Sequence, residues 1–203
     1  MADPLCLRLR LACGELRSPP AVDDRIDIVA SIQTLSDSER RTVARWALAC
    51  AEHVLPLFSA DTAAEEAISD AIARTRAYSA GEGRTADEIA KRFVAGKAAR
   101  AATTPAGAAA ARSVAQASAV AHMGAHALGA AAYAAKAVSL AHKDRPDLVE
   151  KEVRWQLDQL TEPERVALRR LPPLGNDSSG PLAPGLLSQG VLGTTIREIQ
   201  AQL

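Results

Sequence analysis

His122 and His126 stand four residues apart in an otherwise apolar run, and Tyr133 follows on nearly the same helical line. Side chains at i and i+4 leave one helix face together, so the two imidazoles could chelate a metal ion. A zincin would also need a glutamate directly after the first histidine, and Met123 occupies that place. A third ligand would have to come from another element, with Cys50, Glu52 and His53 the available donors. Without that ligand, His122 and His126 serve as polar groups in an alanine seam or as contacts for a partner. They are the only candidates for metal. Cys50, Glu52 and His53 lie within one turn. A Cys–His pair at i,i+3 supplies a nucleophile and a base but no third group to orient them. Cys50 also falls on an apolar stripe, where cysteine packs as an inert hydrophobe. No Ser-His-Asp set or paired-carboxylate pattern stands out. Gly124 and Gly129 follow no strand and form neither a GxGxxG nor a Walker pattern. No catalytic residue and no cofactor are assigned, and the reading is a non-enzyme.

These residues sit in Ala106 to Leu140, the stretch around which the chain is organised. It contains no proline and is dominated by alanine, the strongest helix former. It reads as one long helix, or two in line with a kink near Gly124, reaching roughly 50 Å. Gly124 and Gly129 interrupt it at about 1 kcal/mol each relative to alanine. Close approach of a neighbouring helix would explain them. Small side chains bury little area, so the surrounding helices must bring the Leu, Ile, Val and Trp.

Those helices announce their starts. Ser36 with Glu39, Thr62 with Glu65, Thr85 with Glu88, and Thr161 with Glu164 all fit a capping box. The first opens a helix from Asp37 to about Leu55, stopped by Pro56, with Val43, Ala47, Cys50, Ala51 and Val54 inward and Trp46 at the edge. The second runs from Ala63 to about Ser79, with Ala64, Ile68, Ala71, Ile72 and Thr75 in line and Gly81 beyond its end. The third runs from Ala86 to about Ala102, with Ile89, Phe93 and Gly96 inward. Pro146 suits the first turn of a helix to about Leu160, flanked by Trp155. The fourth box opens Glu162 to Leu171. Residues 172–190 are rich in Pro, Gly and Ser and read as loop. Leu192, Ile196, Ile199 and Leu203 then share one face of a terminal amphipathic helix. Near the start, residues 5–12 alternate at strand period, and residues 22–34 show helical spacing. The fold class is all-α, a single-domain bundle of about seven to nine helices with the Ala-rich helix at its centre.

Lys plus Arg equals Asp plus Glu, 24 against 24. This excludes a surface built wholly for nucleic acid or anionic lipid, and 3% aromatics exclude a base-stacking platform. The three cysteines form no CxxC pair and fit a reducing compartment. The run MADPLCLRLRLAC lacks the pattern of a secretory signal. Arg112, Gln116, His122, His126 and Lys136 make the Ala-rich stretch too costly for a membrane. The expected location is the cytoplasm.

Three blocks resemble the all-helical immunity proteins of bacterial polymorphic toxin systems, the group called immunity-protein family five and its relatives. The first is VARWALACAEHVLPLF, Val43 to Phe58. The second is the helix–Gly–helix unit Ala63 to Arg100, with its Tyr-x-x-Gly helix end. The third is AVAHMGAHALGAAAYAAKA, Ala119 to Ala137. EKEVRWQLDQL, Glu150 to Leu160, also resembles the family's closing helix. The resemblance covers about residues 36–172 and implies a domain there, with residues 1–35 as an arm and short helix and 173–203 as loop and terminal helix. It implies a non-catalytic antidote that binds a cognate toxin protein and blocks its active site or substrate path. Nucleic acid and membrane are not expected partners. The balanced charge argues against a strongly basic toxin masked by an acidic surface. The candidate partner-binding residues are Trp46, Glu52, His53, His122, His126 and Tyr133. The alternatives are a helical scaffold or adaptor, homodimeric through the Gly124/Gly129 face, and, behind it, a metal-dependent bundle enzyme.

Overall fold

The computed structural model describes residues 31–203. The strand-period stretch at 5–12 and most of the helical pattern at 22–34 lie outside them. Within the described residues the chain is all helical: a 3-10 turn at Ile32–Thr34, then α1 (Asp37–Val54), α2 (Thr62–Ser79), α3 (Thr85–Lys91), α4 (Val94–Ala98), α5 (Pro105–Ala119), α6 (His126–Ala141), α7 (Pro146–Asp158), α8 (Glu162–Arg169) and α9 (Gly190–Gln202).

The Ala-rich stretch is not one rod. It folds back on itself as the hairpin α5–α6. Ser113 Oγ donates to Ala130 O at 2.7 Å, and Gln116 meets His126, so the pairing runs antiparallel. Alanine propensity alone would have continued the helix, but an isolated helix is marginal, and packing of its faces decides its course. The turn is held from outside. The backbone N–H groups of Gly124 and Ala125 donate to Thr34 O and Gln33 O at 3.1 and 3.0 Å. A Cβ on Gly124 would lie 2.5 Å from Leu35 Cδ1, so this glycine marks the close approach of the segment before α1. One on Gly129 would strike the Gln116 side chain.

Helix α6 is the centre. It packs against α1, α5, α7 and α9, and Ala127 through Ala135 are all buried. The bulky partners come from elsewhere: Val43 and Trp46 of α1, Val153 and Leu157 of α7, and Leu192, Ile196 and Ile199 of α9 all belong to the same buried cluster. Trp46 is not at an edge. It is fully buried, and its indole N–H donates to Gln156 O at 2.7 Å. The 172–190 loop is tied inward by the buried Gln33, whose amide donates to Asp177 Oδ2 (2.6 Å) and Ser179 O (2.8 Å) and accepts from Leu182 N–H (3.0 Å).

The capping signals divide. Ser36 and Glu39 form the full box, with Glu39 N–H to Ser36 Oγ at 3.3 Å and Ser36 N–H to Glu39 Oε2 at 2.9 Å. At Thr161 the Glu164 carboxylate accepts both the N–H and the hydroxyl at 2.7 Å. Helix α2 is capped one residue earlier than its sequence pattern indicates, by Asp61, which accepts from Ala64 N–H at 2.9 Å. The Thr85/Glu88 pair is diverted to tertiary partners. Thr85 donates to Asp37 Oδ1 at 2.6 Å, and Glu88 takes Arg74 at 2.8 Å. The helix expected over 86–102 breaks into α3 and α4, and the break turns Phe93 outward. Gly96, expected inward, is exposed.

Candidate functional site

The α5–α6 hairpin brings His122 and His126 together by its turn, since the helix that would have aligned them is interrupted. Their ring centroids are 6.4 Å apart and tilted by 36°. Both line a cavity of about 430 Å³ with Tyr133 from α6, with Arg112, Gln116 and Ala119 from α5, and with Arg92, Phe93 and Gly96 from the α3–α4 break. A second hollow of about 280 Å³ shares Gln116, His126 and Tyr133 and extends to the Gly180–Leu187 loop. The two hollows share these three side chains as a common wall.

The chemistry of the cleft is cationic. His126 Nδ1 lies 2.7 Å from Gln116 Oε1, so its Nδ1–H donates and Nε2 is left as an acceptor. Burial, then the neighbouring His122 and Arg92, push the His126 pKa down to about 4. Burial and the Arg92 and Arg40 charges lower that of His122 as well. Both rings are therefore neutral at pH 7, and the positive charge belongs to the arginines. Arg92 lies over the Phe93 ring at 4.2 Å and donates from Nη1 to Ile89 O at 2.6 Å. Among the described residues, no carboxylate lines the cavity or pairs with Arg92 or Arg112. Tyr133 is buried, and burial raises its pKa.

Cys50, Glu52 and His53 do not join this cleft. Cys50 is wholly buried, which pushes its thiol pKa well up and leaves it unreactive. Glu52 pairs with Arg76. His53 stacks on Trp155 with centroids 3.7 Å apart, and its Nδ1 meets Glu152 Oε2 at 2.7 Å. It lines a separate hollow with Val138, His142 and Trp155. Among the described residues no three His, Cys, Asp or Glu side chains are grouped as metal ligands would be. Trp46 has no exposed surface to offer a partner.

Sequence reasoning missed Arg92, Phe93, Arg112 and Gln116. One signal was available. Arg112 and Gln116 are the long polar side chains of α5, four apart and so on one face. Nothing local could show that the α3–α4 break faces them.

Residues 33–163 match the family described as Imm-5 like putative immunity protein. The chain belongs to that family. The match begins at Gln33, in the turn that clamps the hairpin, and takes in the whole of α1 through α7. Helix α9 packs on α6 from beyond the matched region. No curated protein and no solved structure matches the chain. Among the described residues no helix is long and apolar enough to cross a membrane.

Proposed function

We propose that this protein is a bacterial immunity protein that neutralises a cognate toxin by binding its toxic domain. Family membership over residues 33–163 carries the reading. A second feature supports it: a rigid hairpin presents a cleft lined by arginine, histidine and tyrosine with an exposed phenylalanine at its side. Arginine and aromatic side chains are the types enriched where protein partners bind. The action is steric. The protein covers the toxin's active site or substrate path and performs no chemistry itself.

The test is neutralisation. The tagged protein is recovered from its native host, and a co-eluting toxin-domain protein is identified. That toxin is then expressed with and without this chain. Growth arrest by the toxin alone and its relief on co-expression support the proposal. A chain that elutes alone with about one equivalent of metal, or a toxin whose lethality is unchanged, overturns it.

A further inference from the structure

We infer that the cleft between the α3–α4 break and the α5–α6 hairpin receives an acidic side chain of the partner protein, held by Arg92 and Arg112. The inference rests on the immunity reading and adds the site and the chemistry of its occupant.

Charge is the first argument. Over the whole chain acidic and basic residues balance, and eight of the fifteen described arginines pair with carboxylates. Arg40 and Arg41 bind Asp37, Arg74 binds Asp70 and Glu88, Arg45 binds Glu164, and Arg145 binds Asp147. Of the other seven, Arg92 and Arg112 line one cavity together, with no carboxylate supplied to it by the described residues. Two guanidinium groups beside low-dielectric walls focus a positive potential. An arginine fork matches a carboxylate in two parallel hydrogen bonds. The Arg92 fork is already oriented by its bond to Ile89 O and by the Phe93 ring beneath it, so ordering it on binding costs little.

The apolar rim decides that the anion arrives on a protein. Phe93 is 62% exposed and Leu186 65% exposed. The first lines the larger hollow and the second the smaller one that shares its Gln116, His126 and Tyr133 wall. A free inorganic anion would touch the arginines and leave both side chains in water. A carboxylate carried on a polypeptide brings apolar neighbours that cover them, excluding water from the charge pair, the arrangement of an energetic centre with a sealing ring. The neutral imidazole of His126 and the Gln116 amide then supply polar contacts without adding charge.

Binding of the neutralised toxin domain is measured by calorimetry for the wild type, Arg112→Gln, Phe93→Ala and Arg92→Gln/Arg112→Gln. The double variant is expected to bind about 30-fold or more weakly, Arg112→Gln and Phe93→Ala to lose less, and the wild-type affinity to fall with salt. Arg112 is exposed, so its variant keeps the fold, which thermal melting confirms. Wild-type affinity in the double variant overturns the inference and leaves the immunity reading intact. Should the wild type bind no toxin, that reading fails and the cleft is tested alone. The full chain, isotope-labelled, is titrated with a hexaglutamate peptide and separately with inorganic phosphate. Peptide-induced shifts of the Arg92 and Arg112 side-chain signals, absent in the double variant, support the site. Shifts with phosphate only, or none, overturn it.

Discussion

Two histidine sites on this bundle follow opposite rules. Around His53 the polar groups bond mainly to one another, with Gln156 Oε1 buried and unpartnered. The imidazole meets Glu152, Glu152 accepts from Gln156 Nε2 at 2.7 Å, that same amide donates to Ala131 O at 3.1 Å, and the backbone of Gln156 accepts from Trp46. Trp155 lies flat on the ring. Around His126 the single side-chain bond among the described residues goes to Gln116, and Arg92 and Arg112 line the same cleft. The difference is one of where the polar bonds go. A polar cluster bonded chiefly to itself holds helices together, here α1 to α7 and α6. The arginines of the other cluster meet no carboxylate among the described residues and stand beside exposed apolar side chains.

The contrast breaks most visibly at Trp46. Trp46→Ala removes a fully buried indole and the donor to Gln156 O, and should cost about 3–5 kcal/mol of stability in denaturant titration. A loss under 1 kcal/mol would mean that the inward network is not what joins α1 to α7. Glu152→Ala strips the carboxylate from His53 and Gln156 and should cost about 2 kcal/mol. The partner affinity of the cleft should stay unchanged, since the two sites share no residue. A parallel fall in partner affinity would show that the His53 face belongs to the interface.

The pH response belongs to the other site. His126 has its folded pKa depressed to about 4 from an ordinary 6.5 by burial, His122 and Arg92. Between those values the unfolded chain binds the proton and the folded chain does not, so stability falls as pH drops from 6.5 toward 4. The loss is on the order of 2–3 kcal/mol. Asp37 adds to it at lower pH. The Thr85 hydroxyl and Arg41 hold its pKa at about 2, below the ordinary 3.8, so its contribution is complete above pH 4 and is lost only below that. Urea titrations at pH 7 and pH 5 should differ for the wild type and converge for His126→Gln. An unchanged difference in the variant would assign the acid sensitivity elsewhere. The smallest effect is expected from Arg112→Gln, which should shift stability by less than about 0.5 kcal/mol, because its guanidinium serves no described partner. A larger loss would make it structural and blur the comparison.

How far the chain could be read without its fold depends on the range of the interactions concerned. Capping at Ser36, the stop at Pro56 and the inward stripe of α1 are set by residues within one or two turns, and their patterns were legible. So was the docking face of α9, because Leu192, Ile196 and Ile199 recur at helical period. Local patterns failed wherever a distant group competed. Thr85 gave up its cap to reach Asp37. Trp46, placed at an edge by its position on the helical wheel, is enclosed by α7. The α3–α4 break exposed Phe93, which periodicity had placed inward.

The cleft shows the same boundary. Sequence alone determined an all-α chain with an alanine-rich centre and the resemblance to an immunity family, because helix propensity, periodicity and motif blocks are written in neighbouring residues. It also nominated His122, His126 and Tyr133. Tertiary structure decided that the Ala-rich stretch folds into a hairpin, that Arg92 and Phe93 come to face Arg112 and Gln116, and that Cys50 and His53 lie elsewhere. Alanine is compatible with either a rod or a hairpin. The choice was made by the burial of its faces and by two carbonyls, of Gln33 and Thr34, that accept the amides of the turn.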